Sequence, residues 1–139
     1  MTVPKAPDGG RLVLTITEPQ PGIGQIHIKG TVAKWDIDSL NAAVEGLTGR
    51  GVRRIIFDLS QTELVASGVF GCFITYSDQA ARSGGQVIFA AVPDIVQVVF
   101  DRLGLTEMFC FAVSGEAAVR QLSEELREPR GTTRRRKKS

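Results

Sequence analysis

The spacing of apolar residues along this chain alternates between a period of two and a period of three to four. After two adjoining strand-like segments, short runs of β-forming residues alternate with amphipathic segments of helical length, in the order β β α β α β α β α. Such alternation predicts right-handed crossovers and parallel neighbouring strands. The expected fold class is therefore α/β, with a mixed sheet of four to five strands that begins with an N-terminal hairpin, and with about four helices.

Turn-forming residues and helix caps set the expected boundaries of these segments. Gly30 is predicted to end the second strand, Ser67 to cap the second helix and Ser114 to cap the last one. Residues 59–66 are predicted to form a loop. The predicted strands are 11–17, 23–29, 53–58, 86–91 and 109–112, and the predicted helices are 37–48, 67–83, 93–104 and 114–127.

Length and charge limit the kind of protein this can be. The 139 residues suit one domain, which we assign to 11–127, between a flexible arm (1–10) and a basic disordered tail (128–139). Residues 127–138 hold seven cationic side chains and one carboxylate. They contribute +6 to the net charge of +2, so the rest of the chain has a net charge of about −4. An acidic body argues against direct nucleic-acid binding. The short apolar runs argue against membrane insertion, and the absence of a signal-like N-terminus predicts a cytoplasmic protein.

Few residues here have the chemistry of catalysis or metal binding. His27 is the single histidine, and it lies in the middle of a predicted strand. Cys72 and Cys110 are far apart among apolar neighbours, which favours two buried thiols over a metal or redox site. The glycines do not follow a strand and open a helix as a phosphate-binding loop does. We therefore expect no enzyme activity and no cofactor.

Three strand-to-helix junctions should meet at the carboxyl edge of the parallel strands, where sites gather in open sheets. They are residues 30–35, 59–68 and 91–94. The middle junction places Ser67 and Gly68 directly before an apolar helix. A hydroxyl in that position either caps the helix or accepts a phosphate, which the free N–H groups and the helix dipole would favour. The sequence leaves both interpretations open.

Four motifs in a fixed order resemble the STAS domain, a family that includes the bacterial anti-sigma factor antagonists. They are Phe57-Asp-Leu-Ser60, Val65-Ala-Ser-Gly-Val-Phe-Gly71, Ser83-Gly-Gly-Gln-Val-Ile88 and Leu103-Gly-Leu-Thr-Glu-Met-Phe109, and the resemblance runs from about Leu12 to Leu126. It implies a protein that binds an anti-sigma factor, which is also a serine kinase, and that the kinase switches off by phosphorylating a serine. Ser67 matches that serine and Gly68 the glycine after it. Val65 and Ala66 depart from the family's Asp-Ser.

The resemblance and the predicted junctions together define an expected docking surface around Ser67. Its predicted members are Thr31, Val32, Lys34, Val65, Ala66, Gly68 and Val69. Other roles within the family stay open: a scaffold subunit of a stress-signalling complex or of a lipid ABC transporter. A third alternative, from another class, is a small-ligand-binding or enzymatic domain. Either a monomer or a weak homodimer fits the sequence.

Overall fold

A computed structural model describes residues 11–127, and the predicted arm and tail lie outside that range. These residues form five strands and four helices, with one 3-10 turn, in the predicted order. The strands are β1 (Val13–Gln20), β2 (Ile23–Val32), β3 (Arg54–Val65), β4 (Gln86–Ala90) and β5 (Cys110–Ala112). The helices are α1 (Ile37–Thr48), α2 (Val69–Arg82), α3 (Asp94–Arg102) and α4 (Gly115–Arg127), and the 3-10 turn is Lys34–Asp36.

The five strands lie in the sheet in the same order as in the chain, β1-β2-β3-β4-β5. β1 pairs with β2 in antiparallel fashion, and the other neighbours are parallel. This confirms the predicted α/β fold with its opening hairpin. Right-handed crossovers that always step in the same direction put their helices on the same side of a sheet, so α1, α2 and α3 all cover one face.

The core on that face is built largely from aromatic rings. Phe57 and Phe89 of the sheet, Phe70 and Phe73 of α2 and Phe100 of α3 are each at most 1% exposed. Neighbouring rings lie 4.9 to 5.7 Å apart by centroid, with Phe70 and Phe100 meeting edge to face at 4.9 Å. Because such rings bury a large apolar area, this cluster holds α2 and α3 firmly against the sheet.

α4 covers part of the opposite face. It packs Ala118 and Leu122, both 0% exposed, against a small apolar cluster centred on Ile56 and Ile88. Its N-terminus is capped as predicted, because the Ala117 N–H donates to the Ser114 hydroxyl at 3.0 Å. α4 follows the last strand and makes no crossover, so topology does not commit it to the face shared by the other helices.

A hydrogen bond between side chains links α1 to α2. Burial raises the pKa of the Tyr76 phenol above its ordinary value, and the nearby Cys72 raises it further. The phenol therefore stays neutral and donates to Asn41 Oδ1.

Cys72 and Cys110 are only partly buried, whereas the sequence predicted two buried thiols.

β2 and β3 both run further than predicted. Gly30 does not end β2; it adopts a φ of 97°, next to two register shifts in the β2–β3 ladder, and the strand continues to Val32. The segment 59–66 was predicted to be a loop, but β3 continues through it as far as Val65, and only Ala66 lies outside the strand. A left-handed glycine at a bulge lets a strand change register without ending. The prediction that β2 ends at Gly30 was therefore wrong.

The face that α3 turns to the core also differs from the prediction. Val96 and Phe100 are buried, whereas Ile95 is 58% and Leu103 47% exposed. The apolar spacing of this segment predicts that Ile95, Val99, Phe100 and Leu103 line the buried side, but a helix this short buries a narrower stripe, rotated about the axis from the predicted one.

Gly85 should be essential for the fold, because β4 begins in close contact with β3. A Cβ atom on Gly85 would lie 1.9 Å from the Arg53 carbonyl oxygen, whereas one on Gly71 in α2 would meet nothing within 4 Å. We expect Gly85→Ala to lower the free energy of unfolding by about 2 kcal/mol or more. Gly71→Ala should raise it by about 0.5 kcal/mol, because alanine favours the helix. Urea denaturation of both variants measures the difference, and equal stabilities would contradict the close packing.

Candidate functional site

The ladder between β2 and β3 brings two of the three predicted junctions together. Val32 pairs with Val65 at the ends of the two strands, and the Ala66 N–H then donates to the Val32 carbonyl at 2.8 Å. Inside the ladder, the Thr62 hydroxyl donates to the Ile28 carbonyl at 2.8 Å from a buried position. The segments that follow the two strands therefore start side by side at the carboxyl edge of the sheet.

The first junction is a 3-10 turn held by an acidic side chain. Asp36 is 2% exposed, and its Oδ2 accepts the Ala33 N–H at 2.8 Å. Asp36 occupies the N-cap position of α1 without a side-chain capping bond, and its carboxylate bonds back to the turn before it. The turn leaves Lys34 exposed and Trp35 58% exposed. A large aromatic ring is thus presented to solvent three residues after the end of β2.

Ser67 lies at the surface in the second junction, directly before α2. Its carbonyl accepts the Phe70 N–H at 3.2 Å, and the Ala66 carbonyl accepts the Val69 N–H at 2.9 Å. The backbone has therefore already turned towards the helix at Ser67, and Gly68 occupies the N-cap position, with no capping bond from any side chain. The prediction that Ser67 caps α2 is wrong. Within residues 11–127 no hydrogen bond engages the exposed Ser67 hydroxyl.

The predicted partner-binding residues separate into a surface layer and a buried layer. Lys34 and Gly68 are exposed, and Thr31 and Ala66 are partly exposed. Val32, Val65 and Val69 are at most 6% exposed and belong to the main core. Val32 and Val65 turn inwards because side chains alternate along β2 and β3, and Val69 faces the core from the first turn of α2. These three predicted members of the docking surface are therefore not at the surface. They support the surface from beneath.

Two exposed apolar residues at the same edge were missed. Leu64 pairs with Thr31 across the ladder and is 50% exposed, and Trp35 follows in the adjacent turn. Residues 61–65, Gln-Thr-Glu-Leu-Val, show no polar-apolar alternation, so no local signal in the sequence marked Leu64 as an exposed strand residue. We define the Ser67 rim as Thr31, Lys34, Trp35, Leu64, Ala66, Ser67 and Gly68.

The third predicted junction is continuous with β5 rather than with the Ser67 rim. Ala91 has a φ of 55°, a left-handed conformation that is unfavourable for alanine, and its N–H donates to the Ala112 carbonyl at 3.0 Å. Pro93 then takes the N-cap position of α3. In the sheet order, β3 separates this β4–β5 pairing from β2.

His27 has partners on the face of the sheet that carries α4. Its Nδ1 lies 3.1 Å from Asp58 Oδ2, and its Nε2 lies 3.2 Å from the Thr17 hydroxyl. Gln25 Nε2 donates to the same Asp58 oxygen at 3.4 Å. These bonds connect β1, β2 and β3, and they line a cavity of about 580 Å³ between the sheet and the first turns of α4.

Metal ligands and membrane spans were searched for across the described part of the chain. There, no three His, Cys, Asp or Glu side chains are grouped as a metal ion would require. None of the helices between residues 11 and 127 combines the length and the hydropathy of a bilayer-spanning segment.

Comparison with known proteins identifies the family. The model of the STAS domain matches residues 15–126, which is most of the chain. The chain belongs to the STAS domain family. No curated protein matches the sequence.

Several solved structures share this STAS fold. An anti-sigma factor antagonist from Mycobacterium paratuberculosis superposes with a TM-score of 0.73 at 15% identity, covering 85% of this chain and 97% of that one. The antagonist SpoIIAA in its unphosphorylated form gives 0.72 at 15% identity, covering 81% and 97%. A chain of the stressosome, described as a signal integration and transduction hub, gives 0.65 at 18% identity, covering 82% and 100%. At these identities the similarity establishes the fold.

Thr62 should be the polar residue that this part of the STAS fold depends on most. Thr62→Val keeps the shape of the side chain but leaves the Ile28 carbonyl without its donor, so the free energy of unfolding should fall by about 1 kcal/mol. Thr62→Ser keeps the hydroxyl and serves as the control. Chemical denaturation measures both variants, and a smaller loss for valine than for serine would show that packing, not the hydrogen bond, matters at this position.

Proposed function

We propose that this STAS domain is an anti-sigma factor antagonist that binds an anti-sigma factor with serine kinase activity, and that phosphorylation of Ser67 switches the binding off. The observation that carries the proposal is the state of the Ser67 hydroxyl, which is exposed and makes no hydrogen bond within the described residues. A hydroxyl that capped α2 would be occupied, whereas this one is accessible to a kinase.

The Ser67 rim has the mixed character of a protein-binding surface. Trp35 and Leu64 offer exposed apolar area, and the buried valines beneath them keep the backbone in place. Aromatic residues often supply the central contacts of protein interfaces. The strand order supports docking over small-ligand binding, because a sheet without a reversal of order has no crevice at its carboxyl edge.

A phosphate at Ser67 would change this surface without unfolding it. It would add about −1.5 to −2 charges beside an apolar patch, and the start of α2 has backbone N–H groups that favour an anion. A partner seated on Trp35 and Leu64 would then have to desolvate the new charge. We therefore expect phosphorylation to act by weakening association.

One departure from the family pattern favours a second candidate function, a scaffold role in a stress-signalling complex. Val65 and Ala66 replace the Asp-Ser of the pattern, and Val65 is buried, so the acid that the pattern places two residues before the target serine is missing. A serine with weaker kinase recognition would suit a permanent subunit better than a switch. The stressosome chain that shares the fold supports considering this role.

The switch can be tested directly at Ser67. The anti-sigma factor kinases of the source organism are purified and incubated one by one with the protein and ATP, and mass spectrometry locates the phosphate. We expect modification of Ser67, and Ser67→Asp should weaken binding to the same kinase by about tenfold, whereas Ser67→Ala should bind normally.

The control for the switch is Ser83→Asp, which adds the same charge at the far end of α2 and should leave the affinity unchanged. Tight binding of a kinase without phosphate transfer to Ser67, and with equal affinities for Ser67→Asp and Ser67→Ala, would favour the scaffold role. No binding to any of these kinases would contradict the antagonist function.

The docking surface itself can be tested with the exposed apolar residues. Trp35→Ala and Leu64→Ala should each weaken binding of the kinase by about tenfold or more, because each removes apolar area at the proposed contact. Leu103→Ala is a matched control, since Leu103 is 47% exposed against 50% for Leu64 but lies at the end of α3. Titration calorimetry measures all three, and an equal effect of the Leu103 change would show that the Ser67 rim is not the contact.

A further inference from the structure

The outer edge of the sheet at β1 is open. β1 is the first strand in the sheet order, and no strand within residues 11–127 pairs with its outer side. Natural edge strands are commonly protected by charged residues, proline or bulges. Residues 13–17 of β1, Val-Leu-Thr-Ile-Thr, contain none of these, and the register shift and Pro19 come only after Thr17.

An apolar layer ends abruptly at this edge. Leu14 pairs with Ile28, and Ile16 pairs with Ile26, on the face covered by α1. Ile26 and Ile28 are at most 1% exposed, yet Ile16, one strand further out, is 45% exposed. A further strand beside β1 would cover this isoleucine.

We propose that β1 pairs antiparallel with β1 of a second copy of this chain, around a twofold axis perpendicular to the sheet at Thr15. Two antiparallel neighbours in one sheet can be related by such an axis, and each face of one sheet then continues as the same face of the other. With Thr15 opposite Thr15 of the partner, Leu14 of each copy lies opposite Ile16 of the other. The pairing then makes two equivalent apolar contacts on one face and a threonine pair on the other.

α1 leaves room for the second copy. The turn that follows α1 reaches the β1 side of the sheet, where Arg50 Nη2 lies 2.7 Å from Glu18 Oε1. By helical spacing, Ser39 and Gly46 lie on that side of α1, and both are exposed and small. The larger Asn41, which bonds to Tyr76, faces α2 instead.

The opposite edge of the sheet is a poorer candidate. β5 has three residues, Cys110–Ala112, and all of them are partly buried. It offers fewer backbone groups than β1 and no exposed apolar side chain within the strand. Pairing between two copies at β1 also covers the exposed edge of both molecules, because a twofold interface uses the same surface on each. Pairing with an unrelated strand would cover the edge of one molecule only. The proposal is independent of Ser67 and of its kinase.

The experiment uses the fact that a residue on the axis faces itself. In Thr15→Lys, two lysines meet across the interface, and in Thr15→Glu, two glutamates meet. Sedimentation equilibrium of the full chain should show a concentration-dependent dimer for the native sequence. Each variant alone should have a dimer dissociation constant raised by about tenfold, because like charges directly opposite are unfavourable.

An equal mixture of the two variants should restore association, because lysine then faces glutamate, and native mass spectrometry should detect the mixed dimer. Thr75→Lys is the control, since Thr75 is exposed on α2, and it should dimerise normally. Thermal unfolding monitored by circular dichroism checks that every variant is folded. A native chain that stays monomeric up to about 1 mM, or a mixture that associates no better than either variant alone, would overturn the proposal.

Discussion

The parallel ladder between β2 and β3 is the contact on which the candidate site depends. It runs from Ile23 and Arg54 to Val32 and Val65, and it extends past the end of β4, which pairs only as far as Asp58. The bond from the Ala66 N–H to the Val32 carbonyl continues it into the turn. Because both strands end at the same level, the loops that follow them lie side by side, and Ser67 and Trp35 share one surface.

The strand order determines the shape of the carboxyl edge of the sheet. Each of the three crossovers moves one strand further along the sheet, so α1, α2 and α3 stack on one face and no two helices diverge from a central crevice. What the carboxyl edge then presents is a row of turns on a rigid base. Such a surface suits a macromolecule, which can span several turns, better than a small molecule, which needs enclosure.

Much of the fold was predictable because hydrophobic period and turn residues act locally. The two-residue alternation of 23–29 and the helical stripe of Leu40, Val44 and Leu47 both lead to the observed elements. The prediction failed where a long-range contact overruled a local signal. Gly30 is a typical strand terminator, but pairing with β3 carries β2 through it, and the hydrogen bond from Thr62 to Ile28 holds residues that the sequence had assigned to a loop.

The sequence by itself determined the class of the fold, the family motifs and the location of Ser67 next to an apolar helix, because these follow from residue types and from spacing within one segment. Only the tertiary structure decided which side chains near Ser67 reach solvent. Val32, Val65 and Val69 turn into the core, and Trp35 and Leu64 turn out. For Val32, Leu64 and Val65 the physical reason is the register between β2 and β3, which is set by pairing across more than thirty residues of chain rather than by local preference. For Trp35 and Val69 it is the way the turn and α2 that follow these strands pack on the sheet.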